Sequence, residues 1–262
     1  MLVEDEKAAR GLFVVVEGLD RAGKSSQTTR LVRNLELDGK KVRHMKFPGA
    51  NAIALPNEDD RLNPNPAERS TAIGKIIDAY LQGRLQQEDH VIHLLFSANR
   101  WEFAQQIRDE LSAGTVVVID RYYYSGCVYS AAKGIPGLSL DWAHGPEVGL
   151  PRPDVCLFLD IAADEASRRG GFGDERYEVY QMQHRVRELF DEFRRISNKD
   201  DICIIDANRP ESEVEKSIWR VIQHCMQQMV TTADYKEVRE VRPQKFNDQV
   251  EAERGASTGE AP

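Results

Sequence analysis

Residues 18–25 read Gly-Leu-Asp-Arg-Ala-Gly-Lys-Ser, which matches the pattern G-x-x-x-x-G-K-[ST]. An apolar run over residues 12–16 precedes this octet and a helical pattern follows it, as expected of a P-loop. In a P-loop, backbone N–H groups and the positive end of the helix dipole surround phosphate oxygens. The lysine reaches the β- and γ-phosphates, and the serine hydroxyl binds Mg²⁺ beside water and phosphate oxygens. The octet and the serine that follows it therefore predict Ser25 as the metal ligand and a nucleotide phosphate site formed by Gly18, Arg21, Ala22, Gly23, Lys24, Ser25 and Ser26.

The composition limits the kind of protein. At 262 residues the chain fits one α/β domain with a tail. A net charge of -8 argues against a nucleic-acid surface, because binding to a phosphate backbone needs concentrated positive charge. No stretch reads as a membrane span or a secretory signal, so we expect no membrane partner and a place in the cytoplasm, the nucleus or both.

Strand and helix patterns alternate along the chain. The apolar runs that predict buried strands are residues 12–17, 42–47, 115–120, 155–160 and 202–206. The helical patterns are residues 24–37, 71–81, 90–111, 175–196 and 211–229. This alternation predicts an α/β class, a three-layer P-loop NTPase fold with a five-stranded parallel sheet flanked by helices. Because ligands bind beyond the carboxyl ends of such strands, the residues that follow each run should converge on one crevice.

Other segments fall outside this alternation. Residues 1–10 form an N-terminal extension to the predicted domain, which covers residues 11–229. Residues 49–67 contain several prolines, asparagines and aspartates without a period, which predicts an exposed inserted loop. Residues 230–262 are charged and poor in aromatic residues, which predicts a disordered C-terminal tail.

Charged residues gather near the predicted phosphate site. Asp120 and Arg121 follow the third strand, where an arginine can neutralise a transferred phosphoryl group, although a surface arginine at a strand end is the alternative. Asp20 and Arg21 add an acceptor and a cation within the octet. Residues 168–177 combine arginines with glycines before a helix, which predicts a lid over nucleotide or, alternatively, a helix cap and an ordinary loop.

A second pocket is suggested by the helical pattern around residues 93–102. Phe96 and Arg100 are four residues apart and share a helix face. The ring could stack on a base, and the guanidinium could donate to a base carbonyl. A lone phenylalanine on a helix is more often part of a core, so both interpretations of Phe96 stay open.

Six short motifs occur in this order along the chain: Asp20-Arg21, Phe47-Pro48, Glu68-Arg69-Ser70-Thr71, Phe96 to Arg100, Asp120-Arg121-Tyr122 and the segment from Arg169 to Tyr177. Together they resemble thymidylate kinase (dTMP kinase) of the eukaryotic type, and the resemblance spans about residues 11–229. It implies transfer of the ATP γ-phosphate to dTMP, giving dTDP and ADP in dTTP synthesis, with Mg²⁺ as cofactor and a homodimer as the usual assembly.

The resemblance also implies a role for each matching residue on the ATP side. Lys24 would hold ATP phosphates, Arg21 would stabilise the transferring group, and Arg121 would bridge donor and acceptor phosphates. With Asp120, these residues form the implied catalytic set. The implied adenine-side residues are Arg169, Ala207 and Asn208.

On the acceptor side, the resemblance implies that Arg69 binds the dTMP phosphate and that Phe96 stacks on thymine. Arg100 would donate to thymine O4, an acceptor that cytosine replaces with an amino donor. The full set implied to contact dTMP is Asp20, Phe47, Pro48, Arg69, Phe96, Arg100, Arg121, Ser125, Gly126, Tyr177 and Gln183.

The chain departs from the family pattern at residues 49–67, which separate Phe47-Pro48 from Arg69. We expect the insertion to bulge outward and leave both motifs in their usual places, because long surface loops add little closure entropy. Alternatively, it covers the dTMP pocket or reshapes the dimer surface.

Two other functions are weighed beside this one: a different nucleoside monophosphate kinase and a catalytically silent nucleotide-binding module. Residues 198–201, Asn-Lys-Asp-Asp, also match the guanine-reading pattern N-K-x-D. They precede the fifth strand, at the edge of the sheet opposite the phosphate site, so we interpret them as a solvated turn.

Overall fold

The computed structural model describes residues 10–48, 71–162, 165–166, 180–196, 202–231 and 237–246. The strands are β1 (Phe13–Gly18), β2 (Val42–Lys46), β3 (Val116–Asp120), β4 (Val155–Asp160) and β5 (Ile202–Asp206). The helices are α1 (Lys24–Leu37), α2 (Ala72–Leu81), α3 (Asp89–Glu102), α4 (Ala104–Ser112), α5 (Tyr123–Ala131), α6 (Leu140–His144), α7 (Tyr180–Ile196) and α8 (Glu211–Thr231). A short 3-10 turn, Gly145–Glu147, follows α6.

The five strands form one parallel sheet in the order β2-β3-β1-β4-β5. β1 lies at the centre, with Phe13 opposite Val117 of β3 and Val14 opposite Val155 of β4. Every residue of β1 and β3 is buried, which explains their runs of valine and isoleucine: a strand covered on both faces has no polar side. The predicted fold class is confirmed, and the strand bounds differ from the prediction by at most one residue.

The predicted single helix over residues 90–111 is wrong, because two helices, α3 and α4, meet at Phe103. The N–H of Phe103 bonds to the carbonyl of Arg100, three residues back, so the α-helical ladder is interrupted there. The ring of Phe103 packs edge-on against Phe47, with ring centroids 5.8 Å apart. The hydrophobic periodicity of residues 90–111 does not reveal this break. Phe103 is apolar and buried, which fits one continuous helix as well as a junction between two helices.

Part of the predicted disordered tail packs against the domain. Residues 237–246 run beside the segment that precedes β4, where two backbone hydrogen bonds of 2.9 Å hold Val241. Phe246 is buried among the rings of His144 and Phe193. The expectation of disorder is therefore wrong for residues 237–246. A few apolar side chains in this segment are buried, although the average composition of the tail is charged and typical of disorder.

Several predictions fall outside the described residues. They concern residues 1–9 of the extension, the insertion at 49–67, the lid at 168–177, the N-K-x-D match at 198–201, and the site residues Arg69, Arg169 and Tyr177. Within the part of the chain that is described, no helix has the length and apolar character needed to cross a bilayer.

Candidate active site

A cavity of about 440 Å³ opens at the carboxyl ends of β1, β2 and β3. This is where the strand order reverses, with β2 and β3 to one side of β1 and β4 and β5 to the other, and doubly wound sheets bind ligands at such a point. The predicted site residues that line the cavity are Asp20, Arg21, Gly23, Lys24, Ser25, Ser26, Phe47, Pro48, Phe96, Arg100, Asp120, Arg121, Ser125 and Gly126.

The loop between β1 and α1 has a backbone suited to a phosphate cradle. Gly23, directly before α1, has a φ of 87°, in the left-handed region that favours glycine. At Gly18, a Cβ would lie 2.5 Å from the carbonyl oxygen of Leu159, so a larger residue would push β1 from β4. Arg21 has a φ of 64°, which is uncommon for a residue with a Cβ. Residues with such backbone conformations cluster at ligand sites.

Lys24 is buried at the start of α1, and its ammonium lies inside the loop. The Nζ atom donates to the carbonyl oxygen of Leu19 at 2.7 Å. Burial lowers the pKa of Lys24 to about 8, and the nearby Arg121 adds to this effect against the opposing carboxylate of Asp20. A bound phosphate would bring the negative charge that favours the ammonium form.

Arg121 follows β3, and its guanidinium forms an ion pair with Asp20. Asp20 also accepts hydrogen bonds from the hydroxyl of Tyr129 at 3.0 Å and from Nε2 of Gln183 at 2.7 Å. Burial opposes ionisation of Asp20, but Arg121 and Lys24 outweigh it and hold the pKa of the carboxyl below its usual value. Asp20 is therefore an anion that pairs with the cations of the phosphate site.

Ser25 and Asp120 form a pair of oxygen ligands at the mouth of the loop. Ser25 Oγ donates to Asp120 Oδ2 at 2.8 Å, and Lys46 Nζ lies 3.2 Å from Ser25 Oγ and 3.6 Å from the same carboxylate oxygen. Asp120 Oδ1 is buried and has no hydrogen-bond partner among the described residues. A hydroxyl and a carboxylate oxygen with spare lone pairs fit the donors that Mg²⁺ prefers.

Glu17, buried in β1, fixes the start of α5. Its carboxylate accepts hydrogen bonds from the backbone N–H groups of Tyr122 and Ser125, at 2.9 and 3.1 Å, and from Ser125 Oγ at 2.5 Å. The N–H groups at the start of a helix lack partners within it, so the carboxylate satisfies them. Ser125 Oγ also lies 3.1 Å from Nη1 of Arg121, which links the central strand to the phosphate site.

The other end of the cavity is aromatic and contains a buried ion pair. Phe96 is half-buried on α3: it lines the cavity and packs against a small cluster of Ile77, Tyr80 and Ile92. The ring therefore belongs both to a core and to a pocket wall. One helical turn later, Arg100 forms a bidentate ion pair with a carboxylate that lies behind the cavity, that of Glu147.

Some predicted site residues lie apart from the cavity lining. Gln183, on α7, contacts the P-loop through Asp20. Ala207 and Asn208 follow β5 and bond to the end of β4, with the Ala162 N–H donating to the Asn208 side chain at 3.0 Å. Their assignment to the adenine side stays a prediction. Gly18, at the end of β1, and Ala22, in the loop that follows, contribute buried backbone.

Sequence reasoning missed Glu17, Lys46, Tyr129 and Glu147. Glu17 carries a usable signal, because a carboxylate inside a buried apolar strand needs hydrogen-bond or charge partners. Lys46 ends a strand next to a motif already selected, so its position at the crevice could have been inferred. Glu147 carries no local signal, because its partner Arg100 is 47 residues away. Tyr129 donates to Asp20, which is 109 residues away, so this contact carries no local signal either.

The fold and the cavity define a P-loop NTPase whose phosphate site continues into a second, aromatic-walled pocket. A family model described as thymidylate kinase matches residues 54–218. The thymidylate kinase of Arabidopsis thaliana is 40% identical over 219 residues, 84% of this chain and 73% of that protein. The human thymidylate kinase is 40% identical over 211 residues, 80% of this chain and 89% of that protein.

A solved structure gives the same family. The structure of thymidylate kinase from Candida albicans aligns with a TM-score of 0.69 and 35% sequence identity, covering 91% of this chain and 99% of that one. The chain belongs to the thymidylate kinase family, as its motifs predicted.

Proposed function

We propose that this chain transfers the γ-phosphate of ATP to dTMP, giving dTDP and ADP. The observation that carries the proposal is one cavity with P-loop cations at one end and, at the other, an aromatic ring beside a buried guanidinium. Such a site suits a donor phosphate and an acceptor nucleotide bound side by side. The names of the relatives support dTMP as that acceptor.

The reaction needs positioning and charge neutralisation rather than covalent chemistry on the protein. A phosphate oxygen of dTMP attacks the γ-phosphorus in line, and the bond to the β-phosphate oxygen breaks. Lys24 and Arg21 neutralise the ATP phosphates, and Arg121 bridges donor and acceptor. Lys24 and Arg121 now bond to a backbone carbonyl and to Asp20, acceptors that incoming phosphates can replace.

Ser25 and Asp120 would hold Mg²⁺. The buried Asp120 Oδ1 supports this assignment, since it has no other partner in the described part of the chain. Among the described residues no group of three or more His, Cys, Asp or Glu side chains could hold a metal ion, so phosphate and water would supply the remaining ligands. When bound, the ion neutralises charge on the β- and γ-phosphates.

At the base end, Phe96 stacks on thymine and Arg100 donates to thymine O4. Phe47 and Pro48 form the adjoining wall, supported by their place in the cavity lining. Arg69 and Tyr177 on the dTMP side, and Arg169 on the adenine side, are included on the strength of the family motifs alone. The same resemblance supports the assignment of Ala207 and Asn208 to the adenine side.

A homodimer is also part of the proposal, with the outer face of α3 as the contact surface. Val91, Leu94 and Trp101 lie on this face and are 42%, 45% and 41% exposed. Their helical spacing makes one apolar stripe, which suits a contact between two copies.

A charge introduced into this stripe tests the dimer. Leu94→Glu is expected to give a monomer in sedimentation velocity, because it buries a carboxylate at the contact. Leu37→Glu is the matched control: this leucine of α1 is 76% exposed, and its variant should sediment like the unsubstituted protein. A Leu94→Glu protein that stays dimeric would show that another face makes the contact.

The proposed reaction is tested with a panel of acceptors. Purified protein is mixed with ATP, Mg²⁺ and one of dTMP, dUMP, UMP, CMP, AMP or GMP, and the ADP formed is measured. We expect the fastest turnover with dTMP, and a Lys24→Ala protein purified in the same way reports any contaminating kinase. Preference for another acceptor would indicate a different nucleoside monophosphate kinase, and ATP binding without transfer would indicate a silent binding module.

A further inference from the structure

We propose that Glu147 is a positioning residue for base selection. It orients the Arg100 guanidinium so that the site accepts a pyrimidine with a carbonyl at position 4 and rejects one with an amino group there. The inference rests on the proposed function of Arg100 as the donor to thymine O4. Glu147 is not among the residues that line the cavity, so it acts through Arg100 rather than on the ligand.

The contact between the two side chains fixes the plane of the guanidinium. Arg100 Nε donates to Glu147 Oε2 at 2.8 Å, and Nη2 donates to Oε1. A fork of two parallel bonds defines an orientation as well as a position, which one hydrogen bond does not. The two side chains are 3% and 0% exposed, so water does not compete for these bonds. Among the described residues, Glu147 accepts hydrogen bonds from Nε and Nη2 of Arg100, so Nη1 of Arg100 can donate to a ligand.

The surroundings of the ion pair exclude other orientations. A Cβ on Gly126 would lie 2.7 Å from Nη2 and 2.9 Å from Nη1, so the backbone of α5 lies against the guanidinium. On the carboxylate side, His93 Nε2 lies 3.9 Å from Glu147 Oε1. The ring nitrogens of His93 bond to Ser130 and to the Ala143 carbonyl, and burial lowers its pKa to about 3. His93 is therefore neutral and brings no second cation to compete for the carboxylate.

A fixed donor discriminates where a mobile donor does not. Position 4 of thymine presents an oxygen that accepts a hydrogen bond, whereas cytosine presents an amino group that donates. A guanidinium free to rotate could turn away from the amino group and lose little. A fixed guanidinium donates a hydrogen bond to the carbonyl of thymine. When cytosine binds, the same guanidinium faces an amino group that is also a donor, and two unpaired donors in a buried site weaken binding strongly. Selectivity at position 4 should therefore depend on Glu147.

The test compares dTMP with 5-methyl-dCMP, which carry the same sugar, phosphate and 5-methyl group and differ at position 4 and its neighbouring ring nitrogen. Glu147→Gln keeps the size of the side chain but removes its charge and one acceptor. We expect the ratio of kcat/KM for dTMP to that for 5-methyl-dCMP to fall at least about tenfold. KM for dTMP should rise by a similar factor, while kcat and the KM for ATP stay within about threefold. A merely structural role would lower the active fraction and leave the ratio unchanged.

Two further variants make the result decisive. Glu147→Asp keeps the charge with one methylene fewer, so its ratio should lie between those of the unsubstituted and Gln proteins. Arg100→Met combined with Glu147→Met leaves no unpaired buried charge and should show the same ratio as Arg100→Met alone, because Glu147 acts only through Arg100.

An unchanged ratio in either folded single variant of Glu147, or a further fall when Glu147→Met is added to Arg100→Met, would overturn the inference. Should Glu147→Gln not fold, the Asp variant gives the decision. Failure of the unsubstituted protein to phosphorylate dTMP would instead contradict the proposed function, and the two failures are therefore distinguishable.

Discussion

At the phosphate end of the cavity, Lys24 and Arg121 pair with protein oxygens that a ligand can replace, whereas at the base end Arg100 is held by a buried carboxylate. The first two cations line the cavity, and in the proposed mechanism phosphate oxygens replace their present partners. In the same mechanism Arg100 keeps its partner, Glu147, when a base binds. The proposal therefore treats the phosphate end as a site that rearranges on binding and the base end as a rigid template.

Both arrangements answer the same physical problem. A buried charge without a partner is destabilising by several kcal/mol, so each cation must be paired before any ligand binds. At the phosphate end Asp20 forms an ion pair that competes with substrate in the proposed mechanism, whereas at the base end Glu147 forms one that does not. Substitutions at the first end should therefore act mainly on turnover, and those at the second on affinity and selectivity.

The largest expected effect is that of Arg121→Ala. If Arg121 bridges the donor and acceptor phosphates, its loss should lower kcat by about 10³-fold or more, as with other arginines that stabilise phosphoryl transfer. The measurement is kcat for ADP formation at saturating ATP and dTMP. Arg30→Ala is a matched control, because Arg30 pairs with Glu211 and Glu215 on the surface between α1 and α8. Near-normal turnover of Arg121→Ala would remove Arg121 from the catalytic set.

A smaller effect is expected from Phe96→Ala, which addresses the rigid end. Loss of stacking should weaken dTMP binding by about 1 to 3 kcal/mol, by analogy with aromatic platforms that stack on bases. That corresponds to a rise of about 5- to 150-fold in the dissociation constant for dTMP. The affinity for ATP should not change, and both constants can be measured by calorimetry.

Phe96→Leu separates the two roles of this ring. Leucine preserves much of the apolar packing against Ile77, Tyr80 and Ile92 but offers no π-face to a base. If stacking dominates, the Leu variant should bind dTMP nearly as weakly as the Ala variant while melting close to the unsubstituted protein. If the Leu variant binds dTMP as tightly as the unsubstituted protein, the role of Phe96 is packing in the core rather than stacking on the base.

The sequence was sufficient to bring together the main motifs of the phosphate end, for a physical reason. Buried parallel strands read as apolar runs, and their carboxyl ends meet at one edge, so motifs far apart such as residues 18–25 and 120–121 could be brought together from topology alone. The cavity lining confirms that these two motifs meet. Local pattern and a general rule of sheet topology are enough to bring these two motifs together, but they did not identify Lys46 and Tyr129, which contact the same site.

The base end depends on pairings that no local pattern encodes. Glu147 lies 47 residues from Arg100, and it is buried because of where the turn after α6 packs rather than because of its neighbours in sequence. The packing of Phe246 against His144 has the same character. In both cases a partner distant in sequence determines the role of the residue. Composition and periodicity therefore indicate only a loop around Glu147 and only a tail around Phe246.

The smallest expected effect comes from the titration of Lys24. Its pKa of about 8 is set first by burial and then by Arg121, with Asp20, Asp120 and Glu17 opposing. Phosphate binding favours the ammonium, so the affinity of the free protein for ATP should fall as pH rises through this value, by at most about tenfold for each further pH unit. At about pH 8.5 more than half of the unliganded lysine is neutral, and ATP binding must restore the proton.

Proton uptake is therefore the signature of a phosphate end that rearranges. Calorimetry of ATP binding at about pH 8.5, in two buffers with different heats of ionisation, should show uptake of a fraction of a proton, and little uptake from this group near pH 6.5. Lys24→Arg keeps a permanent charge at the same place, so the uptake should disappear in that variant. Equal uptake in the Arg variant would assign the proton to another group and would mean that Lys24 is already fully charged before ATP binds, leaving Arg121 and Asp20 as the pair that must rearrange.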